Sequence, residues 1–278
     1  MRARPVRDPG RPPVTVGAGR SVPAFLASVA LLSAVFWALD PLLGDPLGAL
    51  TGTDLPASAL MFLVPGAAAV ALTWRRGGRP AVRRLLTTAT RRPRPRSRLW
   101  YVPTLLLMPA VVVASYAVVR LAGLPLPQQI VVPWAAVPVL LALYLVSGWC
   151  EQLGWTAYAT DPLQARLGAL GAALVLGLAW ALIHVIPYAQ AGHGTRWILG
   201  QCLYTVALRV LLSWIYANAG PGILAVTLCQ ASSNVAWSLF PNHGSHFDPV
   251  VAGILVGLAA VAVVVLSGPR TLAGRSTS

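Results

Sequence analysis

Lysine is missing from this chain, and glutamate occurs once, as Glu151. All 21 basic residues are therefore arginine, against seven acidic ones, for a formal net charge of +14. Charged residues fill only 10% of the 278 positions, where soluble domains carry roughly a quarter. That scarcity excludes a soluble globular enzyme, and an apolar share of 56% excludes a disordered chain. Cysteine is scarce too: Cys150, Cys202 and Cys229 lie in or beside apolar runs. An odd count without metal-type spacing excludes a disulfide scaffold and reads as free thiols.

Apolar sequence is what the chain has in abundance, with a mean hydropathy of +0.69. A transmembrane helix takes roughly 20 mostly apolar residues. Such runs fall at 22–39, 55–74, 99–119, 131–150, 170–190, 197–217, 221–240 and 249–267. They predict an all-α fold: a polytopic membrane helix bundle of about eight transmembrane helices.

Arginine placement predicts the orientation, because basic residues favour the cytoplasmic side. With the N-terminus inside, the segments 1–21, 75–98, 151–169, 218–220 and 268–278 hold eighteen arginines. The outside loops hold two, Arg120 and Arg196, while the first outside loop carries Asp40, Asp45 and Asp54. The expectation is N-in and C-in. Basic runs beside long apolar spans meet anionic lipid at the cytoplasmic face, so no nucleic-acid partner is expected. The chain divides into a disordered basic cytoplasmic arm (1–21), N-terminal transmembrane helices (22–129), a core (130–267) and a cytoplasmic tail (268–278). Arginine without lysine, in an Ala- and Gly-rich chain, points to a GC-rich bacterial genome. The expected location is the bacterial cytoplasmic (inner) membrane, as a multi-pass protein.

Polar groups inside such spans are expensive in lipid and are functional candidates by default. Those here are Glu151, His184 and Arg209, with the amides Gln152, Gln201, Gln230 and Asn234. Apolar and aromatic residues continue past Glu151 through Tyr158, so the fourth helix is expected to run to about Thr160, where Asp161-Pro162 marks a break. Glu151 then lies about 13 Å from the helix end, at roughly 1.5 Å per residue. Residues 162–169 read as a short interfacial helix, Pro-Leu-Gln-Ala-Arg-Leu-Gly-Ala. If the next span starts near Leu170, His184 is roughly 21 Å in, and with some slack from helix tilt it can approach Glu151 near mid-membrane. Gln230 and Asn234 are spaced i, i+4 on one face of a later helix.

A carboxylate beside an imidazole can hold and activate a water, and an amide can donate to a developing oxyanion. Packing roles compete with this reading, since Gln and Asn within spans also bridge helices. Arg209 has two options: pairing with Glu151, or, as favoured, snorkelling toward the inner face. His243, His246 and Asp248, within six residues of an outer loop, read as a structural turn.

These residues carry a family resemblance. Glu151-Gln-Leu-Gly-Trp-Thr156, Asp161-Pro-Leu-Gln-Ala-Arg166 and Trp180-Ala-Leu-Ile-His184 resemble the CPBP family, the CaaX-protease and bacteriocin-processing (Abi) intramembrane endopeptidases. Trp214-Ile-Tyr-Ala-Asn218 and the tract from Asn234 to Pro249 extend the likeness over roughly 140–250. The family pattern is Glu-Glu-x-x-x-Arg, an aromatic-x-x-x-His, and a later His-x-x-x-Asn. The resemblance implies that Glu151, His184 and Asn234 are catalytic, with Trp180 supporting, and that the core is an intramembrane protease. It implies a membrane peptide or lipidated protein as substrate, and a water positioned by glutamate and histidine, often with a divalent metal such as zinc.

Three motif positions depart from the pattern: Gln152 for the second glutamate, Thr156 for the arginine and Gln230 for the later histidine. The first two losses remove a carboxylate and the cation expected to pair with it. Gln230 is a poor metal ligand beside imidazole, so Glu151 and His184 alone would hold zinc weakly. Two readings follow. One is a CPBP-type endopeptidase, a metalloprotease or a metal-free hydrolase, using Glu151 and His184. The other is a weak or inactive pseudoprotease that binds a membrane peptide or partner in an immunity or scaffold role. A small-solute carrier is a third class, against which stands the lack of an internal repeat.

Overall fold

A computed structural model describes residues 21–43, 57–91, 98–220 and 222–273. Most of the basic arm at 1–21, Asp45, Asp54, Arg92, Arg94, Arg96 and the last five residues of the tail lie outside the described residues. Within them the chain is all-helical. The helices are α1 (Val22–Leu43), α2 (Leu63–Ala89), α3 (Tyr101–Leu121), α4 (Val137–Gln152), α5 (Thr160–Gln190), α6 (Thr195–Asn218), α7 (Leu224–Leu239) and α8 (Pro249–Ser267).

Six of the eight are long and apolar enough to cross a membrane: α1, α3, α4 with the turn that extends it, α5, α6 and α8. Leucines and valines stay exposed on their outer faces, as Leu31, Val113, Leu258 and Val265 do. Lipid is the solvent that suits them. The other two helices depart from the expected spans for different reasons. α7 has 16 residues, short of the roughly 20 a full crossing takes, and it is enclosed by its neighbours. α2 follows the apolar stretch but does not stop where the arginines begin. It breaks at Gly77-Gly78, where Gly78 has φ +57°, and resumes as a helix to Ala89. The segment expected as a loop from 75 is thus partly a helix with Leu85 and Ala89 buried and Arg79, Arg83 and Arg84 exposed.

α6 is the most buried of the six spans and packs mainly on α5 and α8. Small residues permit this closeness. A Cβ on Gly200 would lie 2.6 Å from the Val250 nitrogen, and one on Gly253 would lie 2.8 Å from the Gly200 oxygen. α5 bends at Gly168 (φ +73°), which separates the segment 160–167, the short helix expected before the span, from the span itself. Ala169 and Leu170 donate their N–H groups to Arg270 and Pro269 carbonyls, both at 2.9 Å. The tail thereby satisfies donors exposed at that break.

The fourth helix does run on to Thr160, but not as an α-helix. Residues Leu153–Tyr158 form a π-helical turn, every residue of it buried. α2 holds it in place at Gly154: a Cβ there would sit 2.6 Å from the Pro65 carbonyl carbon and 2.7 Å from Pro65 Cβ. Neither atom can swing away. Gly154→Ala is therefore expected to lose about 1–3 kcal/mol to overpacking, read as a lower melting temperature of the purified chain in detergent. An unchanged melting temperature would mean the two backbones part without cost.

Candidate active site

The π turn places one extra residue in a turn. Ala159 N–H reaches the Gly154 carbonyl at 3.1 Å, and Thr160 Oγ1 donates to the Trp155 carbonyl at 2.8 Å. Glu151 and Gln152, just before it, project into different surroundings. Glu151 lines a cavity of about 630 Å³, whereas Gln152 is fully enclosed behind the cavity wall.

Glu151 is 7% exposed, and both of its carboxylate oxygens are engaged. Trp180 Nε1 donates to Oε1 at 3.1 Å, and Gln230 Nε2 donates to Oε2. Trp180 also serves His184, whose Nδ1 lies 2.7 Å from the Trp180 carbonyl. A carbonyl only accepts, so Nδ1 carries the proton and Nε2 keeps a lone pair. One tryptophan thus holds the carboxylate with its indole and the imidazole with its backbone, four residues apart on one helix face. Asn234 completes this wall from α7. Its Oδ1 accepts from Trp237 Nε1 at 3.4 Å, which leaves the NH₂ group to donate to other partners.

The cavity therefore gathers Glu151, Trp180, His184, Gln230 and Asn234 from α4, α5 and α7. The same cavity holds Gln201, already a candidate from the sequence, and two tyrosines that the sequence does not mark as site residues, Tyr188 and Tyr204. Tyr188 extends the Trp180, His184 series by another four positions, with its ring 5.7 Å from His184. Tyr204, bonded to Ser233 at 2.6 Å, and Gln201 come from α6. Gln201 Oε1 is buried without a partner among the described residues. The i, i+4 spacing was the available signal for Tyr188; nothing local marked Tyr204.

The other three expected site residues do not line the cavity. Gln152, Thr156 and Arg209 cluster behind it, and this overturns both expectations for Arg209. Its side chain does not snorkel, being 1% exposed, and its hydrogen bonds go to groups other than Glu151. NH1 donates to Gln152 Oε1 at 2.9 Å and Thr156 Oγ1 at 3.1 Å. NH2 donates to the Trp155 carbonyl at 3.1 Å and Thr160 Oγ1 at 2.6 Å. The physical reason is the central position of α6 and the oxygen-rich π turn beside it. Four acceptors offset the cost of desolvating the guanidinium.

The outer loop behaves as a turn. Asp248 caps α8 by accepting from Val250 and Val251 N–H, and also meets Arg196 at 3.1 Å. His246 Nδ1 pairs with Ser245 at 2.8 Å. Among the described residues no three His, Cys, Asp or Glu side chains converge. Zinc takes three or four protein ligands. The cavity is lined by Glu151, which already holds two N–H donors, and by His184, His193 and His243, with Gln230 turning its NH₂ group toward the carboxylate.

The segment that builds this wall can be matched to known proteins. Residues 133–236 fit the family model described as type II CAAX prenyl endopeptidase Rce1-like. The Rce1-like match agrees with the CPBP resemblance and runs from the approach to α4 into α7. It takes in Glu151, Trp180, His184, Gln230 and Asn234, together with the cluster around Arg209. No curated protein matches the chain.

Proposed function

We propose that the chain is an intramembrane endopeptidase that hydrolyses a peptide bond of a membrane-associated substrate, a membrane peptide or a lipidated protein. The observation that carries this reading is the meeting of Glu151, His184 and Asn234 on one cavity within an Rce1-like segment. A water between Glu151 and His184 Nε2 gives its proton to the carboxylate as its oxygen attacks the substrate carbonyl carbon. The oxyanion takes a hydrogen bond from the Asn234 amide. Collapse breaks the C–N bond, and the proton held by Glu151 passes to the leaving amine. Gln201 Oε1, in the same cavity, offers an acceptor to a substrate N–H.

The same reading places the protein as a multi-pass protein of the bacterial cytoplasmic membrane, N-in and C-in, with residues 130–267 as the protease core. The exposed Arg79, Arg83 and Arg84 of α2 would then face anionic lipid headgroups.

A second reading, a binding protein that holds a membrane peptide without cutting it, is favoured by one contact. Gln230 places an amide N–H on Glu151 where the family pattern has histidine. The two are separated by comparing new peptide termini in membranes of cells carrying the native chain or Glu151→Ala at equal abundance. Termini present only with the native chain are the expected result. Identical termini would leave the binding reading in possession of the cavity.

A further inference from the structure

Among the described residues, Arg209 is the only arginine that is fully buried, and its hydrogen-bond partners are all uncharged oxygens. Two of the four belong to Gln152 and Thr156, the two positions where the motif's glutamate and arginine are lost. The cation has not vanished from this place; it arrives from α6 instead of from the π turn.

Its position has a consequence for the amides. A glutamine side chain can sit either way round, and its neighbours decide which. Arg209 and Thr156 both donate to Gln152 Oε1, so that oxygen must face them. The Gln152 NH₂ group then faces Gln230 Oε1, at 2.6 Å. The Gln230 NH₂ group is left facing Glu151 Oε2. Each donor points the same way along the chain Arg209, Gln152, Gln230, Glu151, and hydrogen bonds in such a chain polarise one another. Without the guanidinium the two amides could turn together, and Gln230 would present an oxygen to a carboxylate.

We infer that Arg209 is a positioning residue: it stands in for the motif arginine and fixes the Gln152 and Gln230 amides so that they hold the Glu151 carboxylate toward the cavity. This rests on the reading of Glu151 as the working group, so the experiment observes the carboxylate itself and not cleavage. Glu151 is the chain's one glutamate. Cell-free synthesis with ¹³C-carboxyl glutamate therefore labels a single site, and the infrared carboxylate stretch of the full chain in lipid nanodiscs reports its hydrogen bonding.

Arg209→Ala is expected to displace that band in the same direction as Gln230→Leu. Thr156→Arg combined with Arg209→Ala, which returns the cation to the π turn, is expected to bring it back. Arg209→Lys keeps a point charge but not the fork that spans both sets of acceptors. It should therefore lower the melting temperature while leaving the band near its native place, a split that a merely structural role would not give. A band unmoved by Arg209→Ala but moved by Gln230→Leu overturns the inference. If Arg209→Ala does not fold, the combined variant decides alone: a folded chain with a displaced band overturns it, and a native band supports it. Native cleavage or its absence has no bearing on these bands, so the two readings fail separately.

Discussion

Replacing His184 with alanine is expected to lower the rate of the proposed cleavage by about 10²-fold, the cost of losing the acceptor that aligns the attacking water. The amount of folded protein should change little. The imidazole makes a local hydrogen bond, to the Trp180 carbonyl one turn earlier on α5. Alanine is the best helix former, so the backbone loses nothing by the exchange. What disappears is the Nε2 lone pair, which the Nδ1 bond had preserved for the cavity. Trp180→Phe provides the contrast. It keeps the carbonyl that orients His184 but removes the N–H that holds Glu151 Oε1. Gln230 still holds Oε2, so the carboxylate stays placed and this loss should be smaller than that of His184→Ala. Both rates are read from the Glu151-dependent termini at matched abundance. A His184→Ala chain that cuts at the native rate would remove His184 from the chemistry.

The cavity wall was legible in the sequence because lipid makes polar residues conspicuous. A single glutamate in an apolar run, a Trp and His four residues apart, and a Gln and Asn four residues apart each point to one helix face. Counting rise per residue from Asp161-Pro162 and from Leu170 puts Glu151 and His184 within about 8 Å of each other in depth, a gap that helix tilt can narrow. The structure sets both on the same cavity, joined through Trp180. The short helix before Leu170 was legible for a similar reason, since its polar and apolar residues alternate around one turn.

What failed was reasoning about partners across helices. Arg209 announced its cost but not its acceptors, because those come from a π turn and its flanks, 49 to 57 residues away in sequence. A π turn carries no signature in hydropathy, and counting at 3.6 residues per turn misaims every side chain beyond it. The arginines of α2 misled in a different way. Charges end a transmembrane span, and the chain was read as leaving helical structure there. It leaves only the apolar stretch: Gly77-Gly78 turns the backbone, and a second segment continues with Leu85 and Ala89 buried. The apolar content of 221–240 predicts a span; the helix there, α7, has 16 residues and packs chiefly on α3 and α4.

Restoring the family motif is expected to need four substitutions, not three. Gln152→Glu, Thr156→Arg and Gln230→His together rebuild the pattern on paper. In this chain, however, the room for a guanidinium beside position 152 is taken. Arg209 is 1% exposed, and Thr156 is one of its four acceptors. Thr156→Arg alone removes that acceptor and adds a second buried cation, which should cost several kcal/mol and deplete the folded protein. The triple variant is balanced in charge, since the new glutamate offsets the new arginine, but two guanidinium groups must still share one packed site. Overfilling of that kind costs about 1–3 kcal/mol by itself. Adding Arg209→Ala frees the volume and leaves one cation facing the carboxylate that Gln152→Glu introduces, as the motif has it. The quadruple variant is therefore expected to accumulate better than the triple. It should also cut at least as fast as the native chain, because Gln230→His takes the amide off Glu151 and puts an imidazole in its place. Abundance in membranes and Glu151-dependent termini measure the two effects. A triple variant that accumulates and cuts as well as the quadruple would show that Arg209 does not occupy the place of the motif arginine.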